Sequence, residues 1–220
     1  MKKIKYFSLI TFTFCMMGLI FLTSQVQTGL DEVKDLIAPP PQIHHYSGGF
    51  KYQIADLFWI RAIQDFDYCE VKVAQNLCKG NSWLSKMLLA TVALDPDYLM
   101  VYRTGSLALT VLVSDYAGAS QLLDIGVSKF PQDWRLLYTA AYHASFEEKN
   151  FGKAAKLYRQ AGENGAPSWT FALAARLYTK EGQIEMGEKL IEELKNKETD
   201  PNIIKRIQER IDEFKRELKK

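Results

Sequence analysis

The stretch DYAGASQLLDIGVSKFP, Asp115–Pro131, decides the fold. It reads as an amphipathic helix with small residues at set places. Ala119 and Gly126 lie seven apart, Leu123 stands between them, and Pro131 follows the second by five residues. Seven residues are about two helical turns, so Ala119 and Gly126 share one stripe. Small side chains on a stripe let a neighbouring helix come close, and the bulky residue between them fills the remaining space. Proline ends the helix because it has no amide hydrogen with which to continue the ladder. The frame returns as Ala154, Tyr158 and Ala161, with Pro167 one place late, and again as Gly187, Ile191 and Leu194. Pro96, Pro131 and Pro167 are 35 and 36 residues apart. A period of this size means stacked helical hairpins, because one hairpin cannot bury its apolar face alone.

The pattern is helical from Phe50 to the end. Tyr52–Tyr68 carries Ile54, Leu57, Phe58, Ile60 and Ile63 on a wide apolar face. Trp83–Leu94 is closed by Asp95-Pro96, and Tyr98–Val113 precedes the opening stretch. Trp134–Glu148 pairs with Phe151–Ala161, and Trp169–Lys180 with Ile184–Leu194. The turn before each second helix also recurs, as Ser114-Asp115-Tyr116, Lys149-Asn150-Phe151 and Glu181-Gly182-Gln183-Ile184. Pro201–Lys220 is a last amphipathic helix with Ile203, Ile204, Ile207, Ile211, Phe214 and Leu218 on one side. It suits a cap, covering the open end of the array and turning its Lys and Glu residues to water.

The spacing Ala119, Leu123, Gly126, Pro131 resembles the second half of a tetratricopeptide repeat, and the two later frames resemble it too. Gly105, Ala141 and Ala175 occupy or flank the close-contact places of the first helices, and Tyr178 fits an aromatic place. The Tyr98–Val113 helix is about two residues too long for the pattern, and Tyr142 stands where glycine is usual. The resemblance covers residues 98–200 well and 52–97 loosely. The segment GGFKYQIADLFWIRA, followed by Leu94-Asp95-Pro96, also resembles the start of some bacterial membrane-anchored repeat proteins.

The chain has 220 residues, 47% of them apolar, which suffices for a sizeable core. Its net charge of +2 is uneven: Lys2, Lys3 and Lys5 precede Tyr6–Leu22, a segment without a charge, and the remainder is nearly balanced. That balance gives no electrostatic drive toward nucleic acid. Tyr6–Leu22, with the uncharged residues that continue to Leu30, is long enough to cross a bilayer. Basic residues before it and Asp31 and Glu32 after it put the N-terminus in the cytoplasm. The expectation is a single-pass protein of the inner (cytoplasmic) membrane with its C-terminal domain on the periplasmic or extracytoplasmic side. One alternative is cleavage of the segment, although Ser24 offers a poor processing site and Phe14 before Cys15 is too bulky for a lipoprotein one; the other is a buried N-terminal core helix. The expected organisation is thus an anchor over 1–30, a Pro/Gly linker over 31–51, and a divergent first hairpin over 52–97. Three repeats over 98–200 and a cap over 201–220 follow.

Cys69 and Cys78 flank a short stretch; a disulfide and two separately buried thiols are both consistent with it. His44-His45 lies in the linker without further ligand candidates, and no metal is expected. No Gly-rich phosphate loop, G-x-S-x-G or H-E-x-x-H occurs. No cofactor and no catalytic residue is therefore expected. His143 reads as packed or groove-lining, Glu147-Glu148 as the polar end of a helix, and Trp59, Trp83, Trp134 and Trp169 as packing aromatics.

Tetratricopeptide hairpins form a right-handed superhelix whose concave groove, lined by first helices, holds segments of other proteins. The resemblance implies such a groove here, all-α and solenoidal. Projection of exposed first-helix positions gives Tyr102, Ser106, Thr139, His143, Phe146, Trp169, Arg176 and Lys180. Arg176 and Lys180, one turn apart, can face one carboxylate. The function expected is a non-enzymatic, membrane-anchored scaffold or assembly factor for a cell-envelope complex, with protein partners and no nucleic acid. The alternatives are an enzyme or small-ligand protein with its site in residues 50–96, and an obligate structural subunit of a membrane complex.

Overall fold

A computed structural model describes residues 12–18, 20–21, 38–64, 82–196 and 200–217. The chain divides into two units, Met1–Ile37 and Ala38–Lys220. In the first, residues 12–18 and 20–21 are helical; the rest of the expected anchor lies outside the described residues. Among the described residues no helix is long and apolar enough to cross a membrane.

In the second unit all described secondary structure is helical. A 3-10 helix, Pro41–Tyr46, is followed by α1 (Lys51–Gln64) and α2 (Trp83–Leu94). A π-helical turn, Val101–Gly105, runs into α3 (Ser106–Val111). Then come α4 (Tyr116–Lys129), α5 (Trp134–Phe146), α6 (Phe151–Glu163), α7 (Trp169–Lys180), α8 (Ile184–Asn196) and α9 (Pro201–Glu217). α1 packs on α2, each helix from α3 to α7 packs on the next, and α9 closes against both α7 and α8. Within the segment read as a Pro/Gly linker, the 3-10 helix lies against α2. Prolines rigidify the entry, with Pro40 extended at φ −64° and ψ 145° and a proline in the first turn.

The helix starts are written locally. Ser82, Asp115, Asp133 and Asn150 each accept a backbone N–H three residues on, from Ser85, Gly118, Leu136 and Lys153. Asp115 does more than cap α4. It is fully buried, and Ser82 donates its hydroxyl to Asp115 Oδ2 at 2.6 Å, so the caps of α2 and α4 are joined. Asp133, the cap of α5, likewise receives both Arg103 Nε and Nη2.

The recurring turn is a recurring backbone. Ser114, Lys149 and Gly182 all take positive φ, at 52°, 57° and 78°. Each stands two residues before the first residue of the second helix of its pair. The next residue's amide bonds back to the first helix: Asp115 to Leu109, Asn150 to Ala144 and Gln183 to Tyr178. Together with the helix order, this makes the fold all-α and helical-repeat-like.

The small residues do what their spacing suggests. Ala119, Ala154 and Ala161 are fully buried, and Leu123, Tyr158, Ile191 and Leu194 fill the places between and after. A Cβ at Gly126 would lie 2.9 Å from three atoms of Tyr102, and one at Gly162 would lie 2.6 Å from the ring of Phe171. On α9, Ile203, Ile207 and Ile211 are buried against the preceding hairpin.

Candidate interaction surface

The Tyr98–Val113 segment, about two residues too long for the pattern, contains the Val101–Gly105 π-turn. Such a turn accommodates an added residue within a helix, and one residue is worth about 100° of rotation in a helix of 3.6 residues per turn. That accounts for the first correction to the predicted groove. Tyr102 and Ser106, projected as exposed, are each only 1% exposed. Tyr102 lies over Gly126, donates its hydroxyl to the Pro96 carbonyl at 3.1 Å, and meets Phe130 edge-on. Burial, reinforced by Asp95 and Asp97, pushes its phenol up to about 12. Leu107 and Val111 face outward instead, Val111 with 70% of its surface free.

His143 is the second correction, at 3% exposure. Its Nε2 donates to the Tyr116 carbonyl at 3.1 Å and lies 3.0 Å from Ser120 Oγ. Thr110 Oγ1 is 3.2 Å from Nδ1. Burial depresses the imidazole pKa and outweighs the opposing pull of Glu148 and Glu147, while Lys153 adds to the depression. The neutral ring thus links α3, α4 and α5 as a packed histidine. With Nε2–H committed to a carbonyl, that nitrogen cannot take a proton from Ser120. On α5 the outward position belongs to its neighbour Tyr142, which stacks on Phe146 with ring centroids 4.4 Å apart.

Of the other predicted residues, Phe146, Trp169, Arg176 and Lys180 are exposed, and Thr139 is half-buried. Trp169 stands edge-on to Tyr138 at 5.5 Å, which anchors its ring while half of it stays accessible. Lys180 Nζ sits 3.9 Å over the Phe151 ring. Cys69 and Cys78 lie outside the described residues.

The surface changes character along the array. At its start, an apolar cavity of about 360 Å³ opens between α1, α2 and α3, lined by Trp59, Ile63, Leu84, Leu88, Leu107 and Val111 among others. Gly105 forms part of the wall, where a Cβ would come within 3.0 Å of Leu88. Leu57, Ile60 and Ile63 of α1 are exposed beside it. At the other end, two adjoining clefts of about 310 and 390 Å³ lie between α7 and α9. Arg176, Lys180, Arg206, Arg210, Glu209 and Glu213 supply their charges. Among the described residues no cluster of His, Cys, Asp and Glu is arranged to hold a metal ion.

Sequence reasoning missed Leu107, Val111, Ile63 and Tyr142, and also the arginines of α9. The first two were visible as an apolar i, i+4 pair on a helix already supplied with core residues. No family model, no curated protein and no solved structure matches this chain.

Proposed function

We propose that the chain is a non-enzymatic interaction module, anchored to a membrane by its N-terminal segment, that binds a segment of a partner protein along its first helices. In this reading the helix pairs are degenerate tetratricopeptide-like repeats forming a solenoid. The recurring positive-φ turn and the buried small residues support it. The domain would then serve as a scaffold or assembly factor in a cell-envelope complex, its anchor raising its effective concentration near membrane partners.

The observation that carries the proposal is the number of apolar side chains left in water on the first helices: Ile60 and Ile63 on α1, Leu107 and Val111 on α3, Tyr142 and Phe146 on α5, and Trp169 on α7. Scattered exposed apolar residues are ordinary, but Ile63, Leu107 and Val111 also line an apolar cavity, which marks a contact surface. The test is co-purification of the full chain from crosslinked, detergent-solubilised membranes, beside a Leu107→Asp/Val111→Asp variant. Both positions are exposed, so the fold should survive. A stoichiometric protein partner lost in the variant is the expected result. A partner retained at full yield would overturn the proposal.

The cavity favours a second reading, a small apolar ligand held between α1 and α3. Its volume falls in the range of ligand pockets, and π-turns recur at functional sites. A stoichiometric small molecule in organic extracts of the purified protein would favour this reading over the first.

A further inference from the structure

Building on the proposed groove, we infer that the cleft between α7 and α9 grips an acidic end of the partner segment, with Arg176 and Arg206 as the residues that hold its carboxylates. The charges in the cleft do not balance. Arg210 Nη1 is 2.8 Å from Glu213, and Glu209 lies 4.0 Å from Lys205 outside the cleft. Lys180 is drawn over the Phe151 ring. Arg176 and Arg206 remain, both exposed and neither in an ion pair among the described residues. They come from different helices and line one cleft, so two guanidinium groups serve it, and a planar guanidinium fork can take a carboxylate with two bonds. Ala172 and Leu173 line the same space, and Phe214 adjoins it. Apolar walls lower the local polarity and strengthen each charged bond.

Glu209 and Glu213 in the same cleft disfavour a dense phosphate surface, and the nearly balanced charge of the rest of the chain supplies no broad positive field. A short acidic peptide fits both facts better than a bilayer. The closing helix then has two faces with two tasks. Ile203, Ile207 and Ile211 seal the core, and Arg206 and Arg210 help to build the cleft. The partner motif is thus an apolar stretch followed by Asp or Glu.

The test uses full-length protein in detergent and a fluorescein-labelled synthetic peptide, leucine-rich in its first half and ending in glutamates. A second version ends in glutamines. Anisotropy titrations should show the glutamate version binding about tenfold tighter, with an advantage that shrinks as salt rises. Arg176→Glu/Arg206→Glu should abolish the advantage, and Arg176→Gln/Arg206→Gln should reduce it, both with unchanged helical circular dichroism. Equal binding of the two peptides, no binding of either, or an advantage that survives the double reversal would each overturn the inference. The groove proposal fails separately, if Leu107→Asp/Val111→Asp leaves binding of both peptides intact. Preference of the full chain for phosphatidylglycerol over phosphatidylcholine vesicles, abolished by the double reversal while the peptides bind alike, would assign the cleft to a lipid headgroup instead.

Discussion

Gly126→Ala and Gly152→Ala are the same chemical change in two helices, and they should move stability in opposite directions. An alanine in place of glycine inside a helix gains up to about 1 kcal/mol from propensity and from the reduced freedom of the unfolded chain. At Gly152 that gain is unopposed, because a Cβ there meets nothing nearer than Asn150 Oδ1 at 3.9 Å. At Gly126 the new methyl would stand 2.9 Å from Cβ, Cγ and Cδ1 of Tyr102, well inside the ordinary carbon contact of about 3.5–4.0 Å. Tyr102 cannot swing aside cheaply: it is buried, its hydroxyl is held by Pro96, and its ring is held by Phe130. Overpacking of this kind costs about 1–3 kcal/mol, which exceeds the propensity gain. Gly126→Ala should therefore lose up to about 2 kcal/mol while Gly152→Ala gains up to about 1 kcal/mol. For a chain of this size each kcal/mol moves Tm by about 2–4 °C. Thermal and urea unfolding of the two variants beside the parent protein reads the difference. If Gly126→Ala stabilises as much as Gly152→Ala, α4 does not approach the preceding helix as closely as its small residues imply.

Three further outcomes follow from the same contacts. Asp115→Ala removes the cap of α4 and the acceptor of the buried Ser82 hydroxyl, and should cost about 2–4 kcal/mol in urea unfolding; a loss below about 0.5 kcal/mol would refute the linked-cap account. Lys149→Gly relieves a left-handed backbone on an exposed side chain and should raise stability by up to about 1 kcal/mol, read as a higher Tm. Because burial holds the folded pKa of His143 below its ordinary 6.5, the unfolded chain takes up the proton first as pH falls through that value. Stability should be flat above it and decline below it, until the folded pKa is reached. His143→Gln should remove this part of the decline, seen as a smaller drop in urea midpoint between about pH 7.5 and about pH 5.5, and an equal drop in both proteins would show that the buried ring does not titrate this way.

The positions of the helices were legible because their signals are local. A capping side chain three residues before its target amide, an apolar period and a closing proline all act within one or two turns. Trp83–Leu94 and Trp169–Lys180 have the predicted ends, and Trp134–Phe146 and Phe151–Glu163 end within two residues of theirs. The buried faces of α4, α6 and α8 were legible for the same reason, since small residues at fixed spacing pack closely only on one side.

What the sequence alone did not determine is which way the first helices turn and what meets across them. Across the π-turn at Val101–Gly105, Tyr102 and Ser106 go inward and Leu107 and Val111 outward; nothing local distinguishes that register from the regular one. His143 and Tyr142 are neighbours, and the burial of one and exposure of the other depend on partners from two other helices. Arg176 and Arg206 are thirty residues apart in the chain and share a cleft only because α9 folds back on α7. Local spacing sets where each helix begins, ends and can be approached. The choice of exposed face and the meeting of distant charges are set by the burial of the whole array, a sum over many contacts that no single segment contains.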